Sequence, residues 1–227
     1  MDWPLAIETP LGRLAVALSC GLQPACAPDE DWVLESGAVV ATWRDLAGVM
    51  VDLLLTRYDS SQAVPSGYAV PECWGMEWRF HAPGGWTPPM VLSALLPEGA
   101  GASCDADEDV IVAEAWTDDW RLCVGGADDV WFARQVESAG MAPSWGKVFS
   151  EVGPPGVGGL GAWQTERGLT WFLPGLEEGE SATVWVALAW CPADAREADN
   201  AANFAVDVGA AFIRAAAGIG VSRPRGS

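Results

Sequence analysis

The sequence has very few basic side chains for its length. Its 227 residues include 12 lysines and arginines, of which Lys147 is the only lysine, against 31 aspartates and glutamates. The resulting formal net charge of −19 at pH 7 repels nucleic-acid phosphates and anionic lipid headgroups. We therefore expect no nucleic-acid partner and no membrane partner, and we expect any charged partner to be basic.

Histidine and paired cysteines are also scarce. His81 is the only histidine, and a single imidazole disfavours the usual histidine-based metal sites. No two cysteines stand in a C-x-x-C arrangement, which disfavours a zinc ribbon or a thioredoxin-like redox pair. We predict buried free thiols, no metal and no cofactor. The six cysteines are Cys20, Cys26, Cys73, Cys104, Cys123 and Cys191.

Long apolar runs are missing, although half of the residues are apolar. No stretch approaches the roughly 18 residues that a membrane span needs. The short run in "LGRLAVALSC" (11–20) lacks the basic segment that begins a secretory signal. These features predict a cytoplasmic protein folded as one α+β domain over 1–227, with a mobile Gly/Pro loop near 153–161.

Two segments have the apolar spacing of amphipathic helices. In 43–58 the apolar residues recur every three or four positions, and Thr42 with Asp45 has the form of a capping box. In 195–217 the same spacing recurs and Gly218 provides a stop signal. We predict a shorter N-terminal helix and a long C-terminal helix. The predicted buried stripe of the C-terminal helix includes Phe204, Val208 and Phe212.

Between these segments the apolar period is two, as in half-buried strands. In 73–82, Trp74, Met76, Trp78 and Phe80 alternate with polar residues. Further predicted strands are 110–116, 120–124, 130–136, 169–173, 182–190 and one more near 5–18. The predicted fold class is α+β: a mainly antiparallel sheet covered on one face by the long C-terminal helix and the shorter N-terminal helix. This order of elements resembles helix-grip ligand-binding proteins or a PsbP/Mog1-like arrangement, and no residue motif carries either resemblance.

Two aspartate pairs, Asp118-Asp119 and Asp128-Asp129, stand beside tryptophans and are typical of turns between strands. If 110–136 forms a meander, six carboxylates share one edge of the sheet, and we predict that they contact a basic partner. The alternatives are a solvated acidic face and a loose calcium site, which would lack the glycine and the final glutamate of an EF-hand. The predicted partner-binding residues are Asp105, Asp107, Glu108, Asp109, Asp128 and Asp129.

A second candidate site follows from the strand at 73–82. Glu77, Arg79 and His81 share one face of it, and in an enclosed site they would supply an acid, an anion clamp and a proton carrier. The glycine pattern "GVGGLG" (156–161) is not followed by a helix, so it does not form a dinucleotide fingerprint.

The alternative to the acidic partner-binding surface is a ligand cavity between the sheet and the C-terminal helix. This cavity would be lined by Trp74, Trp78, Trp185 and Trp190.

Three functions remain open at this point. The first is a non-enzymatic binding protein whose acidic surface engages a basic protein partner, as an immunity or antitoxin-like inhibitor or an adaptor. The second is a binder of small apolar or aromatic ligands, or a cyclase-like enzyme. In that case Glu77, Arg79 and His81 would be catalytic. The third is a hydrolase or a metal-dependent enzyme. A cavity of a few hundred cubic ångströms between the sheet and the C-terminal helix would favour the second.

Overall fold

The computed structural model describes residues 3–107, 110–137, 142–151 and 161–218. These ranges contain fourteen strands and four short helices. The strands are β1 (Leu5–Thr9), β2 (Gly12–Cys20), β3 (Gln23–Pro24), β4 (Glu30–Val33), β5 (Val39–Leu46), β6 (Val49–Tyr58), β7 (Glu72–His81), β8 (Met90–Leu95), β9 (Gly101–Asp107), β10 (Val110–Trp116), β11 (Trp120–Ala127), β12 (Gly161–Thr165), β13 (Gly168–Leu173) and β14 (Ser181–Pro192). The helices are α1 (Asp129–Glu137), α2 (Pro143–Glu151), α3 (Ala198–Asp207) and α4 (Gly209–Gly218).

The strands form two antiparallel sheets that share one hydrophobic core. Sheet A has the order β1-β2-β8-β13-β12, with β3 paired to β2, and sheet B has the order β4-β5-β6-β7-β14-β11-β10-β9. The inner face of sheet B is built from alternate residues of its strands, as the period-two pattern requires. Trp78 of β7 and Trp171 of β13 are both fully buried in this core.

The predicted fold class is therefore wrong, because the described residues form two sheets and four short helices in place of one sheet covered by a long helix. The predicted N-terminal helix at 43–58 is the hairpin of β5 and β6. Its turn residues Ala47 and Gly48 have φ angles of 55° and 88°. Both faces of β6 are largely apolar, since Leu54 and Leu55 are both buried. A two-sided apolar strand matches the three-and-four spacing of a helix by coincidence.

The predicted long C-terminal helix is also wrong, because it is divided at Val208 into α3 and α4. Both helices lie on the outer face of sheet B, against β6, β7, β11 and β14. Phe204, which we expected to be buried, is 40% exposed, and Val208 and Phe212, predicted in the same stripe, are only half-buried. The buried stripe consists of smaller residues, Ala201, Ala202, Ala205, Val206 and Ile213.

Small residues on sheet B explain how the helices approach it so closely. A Cβ atom at Gly75 would lie 2.2 Å from Cγ1 of Ile213, and one at Gly125 would lie 2.5 Å from Cγ1 of Val206. On the helix side, a Cβ atom at Gly209 of α4 would lie 2.6 Å from Cβ of Ala187. The glycines therefore leave the space into which the apolar side of each helix packs.

The other strand predictions have mixed outcomes. The strands predicted at 73–82, 110–116, 120–124, 169–173 and 182–190 are confirmed as β7, β10, β11, β13 and β14. The single strand expected near 5–18 is the hairpin of β1 and β2. The strand expected at 130–136 is wrong, since this segment belongs to α1. The predicted loop near 153–161 lies outside the described residues, except for Gly161. None of the described helices is both long and apolar enough to span a membrane.

Candidate functional site

One row of the outer face of sheet B runs beneath α3 and across six strands. The residues in this row are direct neighbours in the strand register. They are Tyr58, Cys73, Ala189, Cys123, Glu114 and Ser103. The Tyr58 hydroxyl donates a hydrogen bond of 2.6 Å to the carbonyl of Ala205, which ties α3 to the sheet at one end of the row. At the other end the sheet extends beyond the helix.

A groove of about 290 Å³ opens where β10 and β11 emerge from under α3. We call it the α3 groove. Its volume is at the lower limit of small-molecule sites, so it suits a single side chain or a small polar ligand. The groove is lined by Ser103, Glu114, Ala115, Trp116, Arg121, Leu122, Cys123, Asp199 and Ala202.

A chain of hydrogen bonds fixes the Glu114 carboxylate at the groove. The Cys123 thiol donates to Oδ1 of Asn203 at 2.9 Å, and Nδ2 of Asn203 donates to Oε1 of Glu114 at 2.5 Å. The Ser103 hydroxyl donates to Oε2 of Glu114 at 3.4 Å. Burial raises the pKa of the Cys123 thiol well above its usual range, so the thiol stays protonated and can donate. Glu114 is therefore held in one orientation.

An ion pair forms the opposite side of the α3 groove. Nε of Arg121 donates to Oδ1 of Asp199 at 2.5 Å, and Nη1 of Arg121 donates to the Thr117 carbonyl at 2.7 Å. The two carboxylates, Glu114 and Asp199, together with Arg121 leave the groove with one net negative charge. A cation is the guest that this charge favours.

Trp116 adds an aromatic wall beside the carboxylates. It lies directly opposite Arg121 in the register of β10 and β11 and is 38% exposed. The protein's own arginines already contact tryptophan faces, with Arg57 4.6 Å from the Trp74 ring centre and Arg214 5.3 Å from that of Trp131. An exposed indole next to carboxylates is a favourable environment for a guanidinium or ammonium group.

The predicted Glu77, Arg79 and His81 lie at the other end of the same sheet face. Nε of Arg79 is 2.5 Å from Oε1 of Glu77, whose side chain is only 5% exposed. His81 is paired with Ser181, ten residues along β14 from Cys191, which is paired with Arg121 in the groove. Ten strand residues span about 33 Å. The two groups therefore cannot belong to one site.

The predicted acidic edge is only partly described. Asp105 and Asp107 lie on β9, while Glu108 and Asp109 lie outside the described residues. Val110 is paired with both Asp107 and Ala127, so the strand ends that carry the acids are at the same end of the sheet. Contact of these acids with a partner stays a prediction.

Asp128 and Asp129 have structural roles at the start of α1. Oδ1 of Asp128 accepts a hydrogen bond of 2.7 Å from the Trp131 N–H, which is the bond that a helix N-cap makes. Oδ1 of Asp129 accepts one of 2.8 Å from the Ala162 N–H of sheet A. Partial burial raises the pKa of Asp129, and the hydrogen bond from Ala162 opposes that shift. The other pair, Asp118 and Asp119, lies in the turn between β10 and β11, as predicted.

The four tryptophans of the predicted cavity do not lie on one side of sheet B. Trp74, Trp78 and Trp190 alternate onto the inner face, whereas Trp185 lies on the outer face, 6.5 Å from the Trp131 ring. They therefore do not line a common cavity under the C-terminal helices. The described cysteines, Cys20, Cys26, Cys73, Cys123 and Cys191, are free; four of them are buried, but Cys26 is exposed, contrary to the prediction of buried thiols.

Sequence reasoning missed the α3 groove, although two signals were present. Glu114 is the only charged residue within the otherwise apolar strand 110–116, and a lone acid inside a strand needs a partner. Asp199 and Asn203 are four residues apart and share one side of a helix. Only the structure shows that this helix side overhangs the strand that carries Glu114.

The fold and the groove together define an antiparallel two-sheet protein with an acid-lined groove beneath a helix. No family model matches the sequence, and no curated protein matches it significantly. Among solved structures, a putative kojibiose phosphorylase from the human microbiome is similar over 92% of this chain and 25% of its own, with 8% identity and a TM-score of 0.45. A polysaccharide lyase is similar over 77% and 25%, with 15% identity and a TM-score of 0.34. The chain thus spans about a quarter of either enzyme, and scores this low assign neither a family nor a function.

Proposed function

We infer that the protein is a non-enzymatic binding protein that engages a basic protein partner through its acidic surface. The observation that carries this proposal is the α3 groove, where Glu114 and Asp199 stand beside the exposed ring of Trp116. Glu114 is oriented by hydrogen bonds before any partner arrives, which lowers the entropic cost of binding. The groove is the contact point for one cationic side chain of the partner.

The rest of the surface supports the same choice of partner. Arginines in the described part of the chain form ion pairs that each neutralise one carboxylate, as Arg57 does with Glu72 and Arg167 with Glu98. With 31 acids against 12 bases, the carboxylates far outnumber the cations that could balance them. Such a field attracts a basic protein over long distances and accelerates its capture.

The chemistry of the groove favours binding over catalysis. Its one thiol, Cys123, has a raised pKa and is used as a hydrogen-bond donor, so it is a poor nucleophile at neutral pH. The polar lining also does not favour the apolar ligand of the alternative hypothesis. An immunity or antitoxin-like inhibitor, or an adaptor, is the role that a preformed acidic contact surface suits.

We place this function in the cytoplasm. Cys73, Cys123 and Cys191 are buried free thiols, and burial raises the pKa of Cys73 to about 11. Unpaired thiols are typical of proteins that work in a reducing compartment.

The test measures binding of an arginine-containing peptide, acetyl-Gly-Arg-Gly-Arg-Gly amide, by isothermal titration calorimetry. We expect the double variant Glu114→Gln, Asp199→Asn to bind at least tenfold more weakly than the natural protein, because charge-assisted hydrogen bonds are lost. The glutamine side chain introduced at position 114 keeps an acceptor for Asn203, so the groove should keep its shape.

The matched control is Glu177→Gln, Glu178→Gln, which removes the same charge from two exposed positions outside the groove. This control should change the affinity by less than about threefold, as expected for screened surface charges. Equal losses in both double variants would show that only the overall charge matters, and would contradict the proposed site.

A further inference from the structure

A second groove, of about 490 Å³, lies at one end of sheet A. It is formed where the β1–β2 turn, the end of β8 and the β12–β13 turn meet. Its walls are mainly apolar, and three charged side chains stand among them. We call this the sheet A groove. Its lining includes Leu11, Arg13, Leu95, Leu96, Glu98 and Arg167.

One main-chain and one side-chain hydrogen bond hold the walls of this groove in place. The Leu96 N–H donates to the Arg167 carbonyl at 2.8 Å, which ties the β12–β13 turn to the end of β8. The Thr9 hydroxyl donates to the Gly12 carbonyl at 2.6 Å and braces the β1–β2 turn. The site is therefore a built feature of the fold and not a gap between loose side chains.

The charges in the sheet A groove differ from those on the rest of the surface. Nη2 of Arg167 is 3.0 Å from Oε1 of Glu98, so these two charges cancel. Arg13 has no carboxylate within ion-pair distance among the described residues, although Glu8 lies opposite it in the register of β1 and β2. The lining therefore has one net positive charge in a protein of net charge −19.

We propose that the sheet A groove binds an aliphatic monocarboxylate, with its carboxylate on Arg13 and its hydrocarbon chain on the leucine walls. A guanidinium binds a carboxylate through two parallel hydrogen bonds. Leu11, Leu95 and Leu96 provide apolar surface for the chain, and burying such a chain is favourable in proportion to its area. This binding site is independent of the basic partner and of the α3 groove.

The charge balance selects a monoanion over other head groups. One carboxylate neutralises the single positive charge of the lining, whereas a phosphate dianion would leave a negative charge in an already acidic protein. An alcohol of the same length cannot form the charge-assisted pair, and an amine would be repelled by Arg13. The head group and the chain are therefore both required.

Octanoate is the probe, and its affinity is measured by calorimetry at physiological salt. We expect octanoate to bind at least tenfold more tightly than octan-1-ol or octyl phosphate, and octylamine to bind no better than the alcohol. Methyl resonances of Leu95 and Leu96 should shift on titration. No octanoate binding, or equal binding of octanoate and octan-1-ol, would overturn the proposal.

The variant Arg13→Gln should lose most of the preference for octanoate over octan-1-ol while keeping the affinity for the alcohol. Arg13 is exposed and has no ion pair to lose among the described residues, so the variant should fold normally. Arg44→Gln is the matched control, since Arg44 is an exposed arginine paired with Glu30 on sheet B. An equal effect of both variants would overturn the assignment to Arg13.

Discussion

Substitution of Gly125 by alanine tests how α3 is seated over the groove. An added Cβ would lie 2.5 Å from Cγ1 of Val206 and 3.0 Å from the Ile111 carbonyl oxygen. Val206 is fully buried, and a β-branched side chain in a helix has little freedom to rotate away. We expect Gly125→Ala to lower the free energy of unfolding by about 1–3 kcal/mol, the usual cost of overpacking.

A compensating variant separates this clash from other effects. Val206→Ala alone should cost about 1.5–2.5 kcal/mol, because two buried methyl groups are lost. In the double variant the new methyl at position 125 occupies part of the vacated space. The combined cost should therefore be smaller than the sum of the single costs by about 1–2 kcal/mol.

The assay is guanidinium denaturation followed by circular dichroism, with Gly84→Ala as the matched control. A Cβ at Gly84 would meet no atom within 4 Å, so this variant should stay within about 0.5 kcal/mol of the natural protein. Gly125→Ala should also weaken the binding of the arginine peptide, because a displaced α3 moves Asp199 and Asn203 at the groove. Additive costs in the double variant would refute the close packing of α3 on β11.

Three further predictions concern individual charges. Asp128→Ala should cost about 1 kcal/mol of unfolding free energy, because the N-cap bond to Trp131 is lost, whereas Asp128→Asn should be nearly neutral; thermal denaturation distinguishes them, and equal losses would argue against a cap. Partial burial raises the folded-state pKa of Asp129, so protonation of this group stabilises the folded state as the pH falls through that pKa. The stabilisation is complete below the pKa that Asp129 has in the unfolded chain, near 3.9. Asp129→Asn should remove this part of the pH dependence of unfolding, and an unchanged profile would contradict it. Arg79→Gln should lower the free energy of unfolding by roughly 1–3 kcal/mol, because the buried Glu77 carboxylate loses its partner. Addition of Glu77→Gln to this variant should recover most of the loss, and no recovery would show that the unpaired carboxylate is not its cause.

The strands that sequence reasoning found are those with one polar and one apolar face or a short apolar run. β7 and β10 are of this kind, and their predicted bounds agree closely with the structure. β5 and β6 were missed because the outer face of sheet B has its own small apolar cluster, where Val40 and Leu54 are buried. Residues buried on both faces remove the period-two signal on which strand prediction depends.

The functional site was harder to predict because it is assembled from distant segments. Glu114, Arg121 and Asp199 come from two strands and a helix, and only strand register and helix docking bring them together. The aspartate pair at 128–129, in contrast, could be interpreted from its local sequence, but only in part. The pair does mark the end of a strand, but the element that follows is a helix, which a β-rich "VWFARQV" does not reveal.

The most direct test of the central claim is to locate the arginine peptide on the protein by fluorine NMR, with 5-fluorotryptophan in place of tryptophan. Trp116 borders the α3 groove, and Trp86, which is 69% exposed, lies outside it and serves as the internal control. We predict that the Trp116 resonance, assigned with Trp116→Phe, shifts in a saturable manner on titration, while that of Trp86 does not move. A peptide that binds without shifting the Trp116 resonance would contradict the assignment of the α3 groove as the contact site for a basic partner.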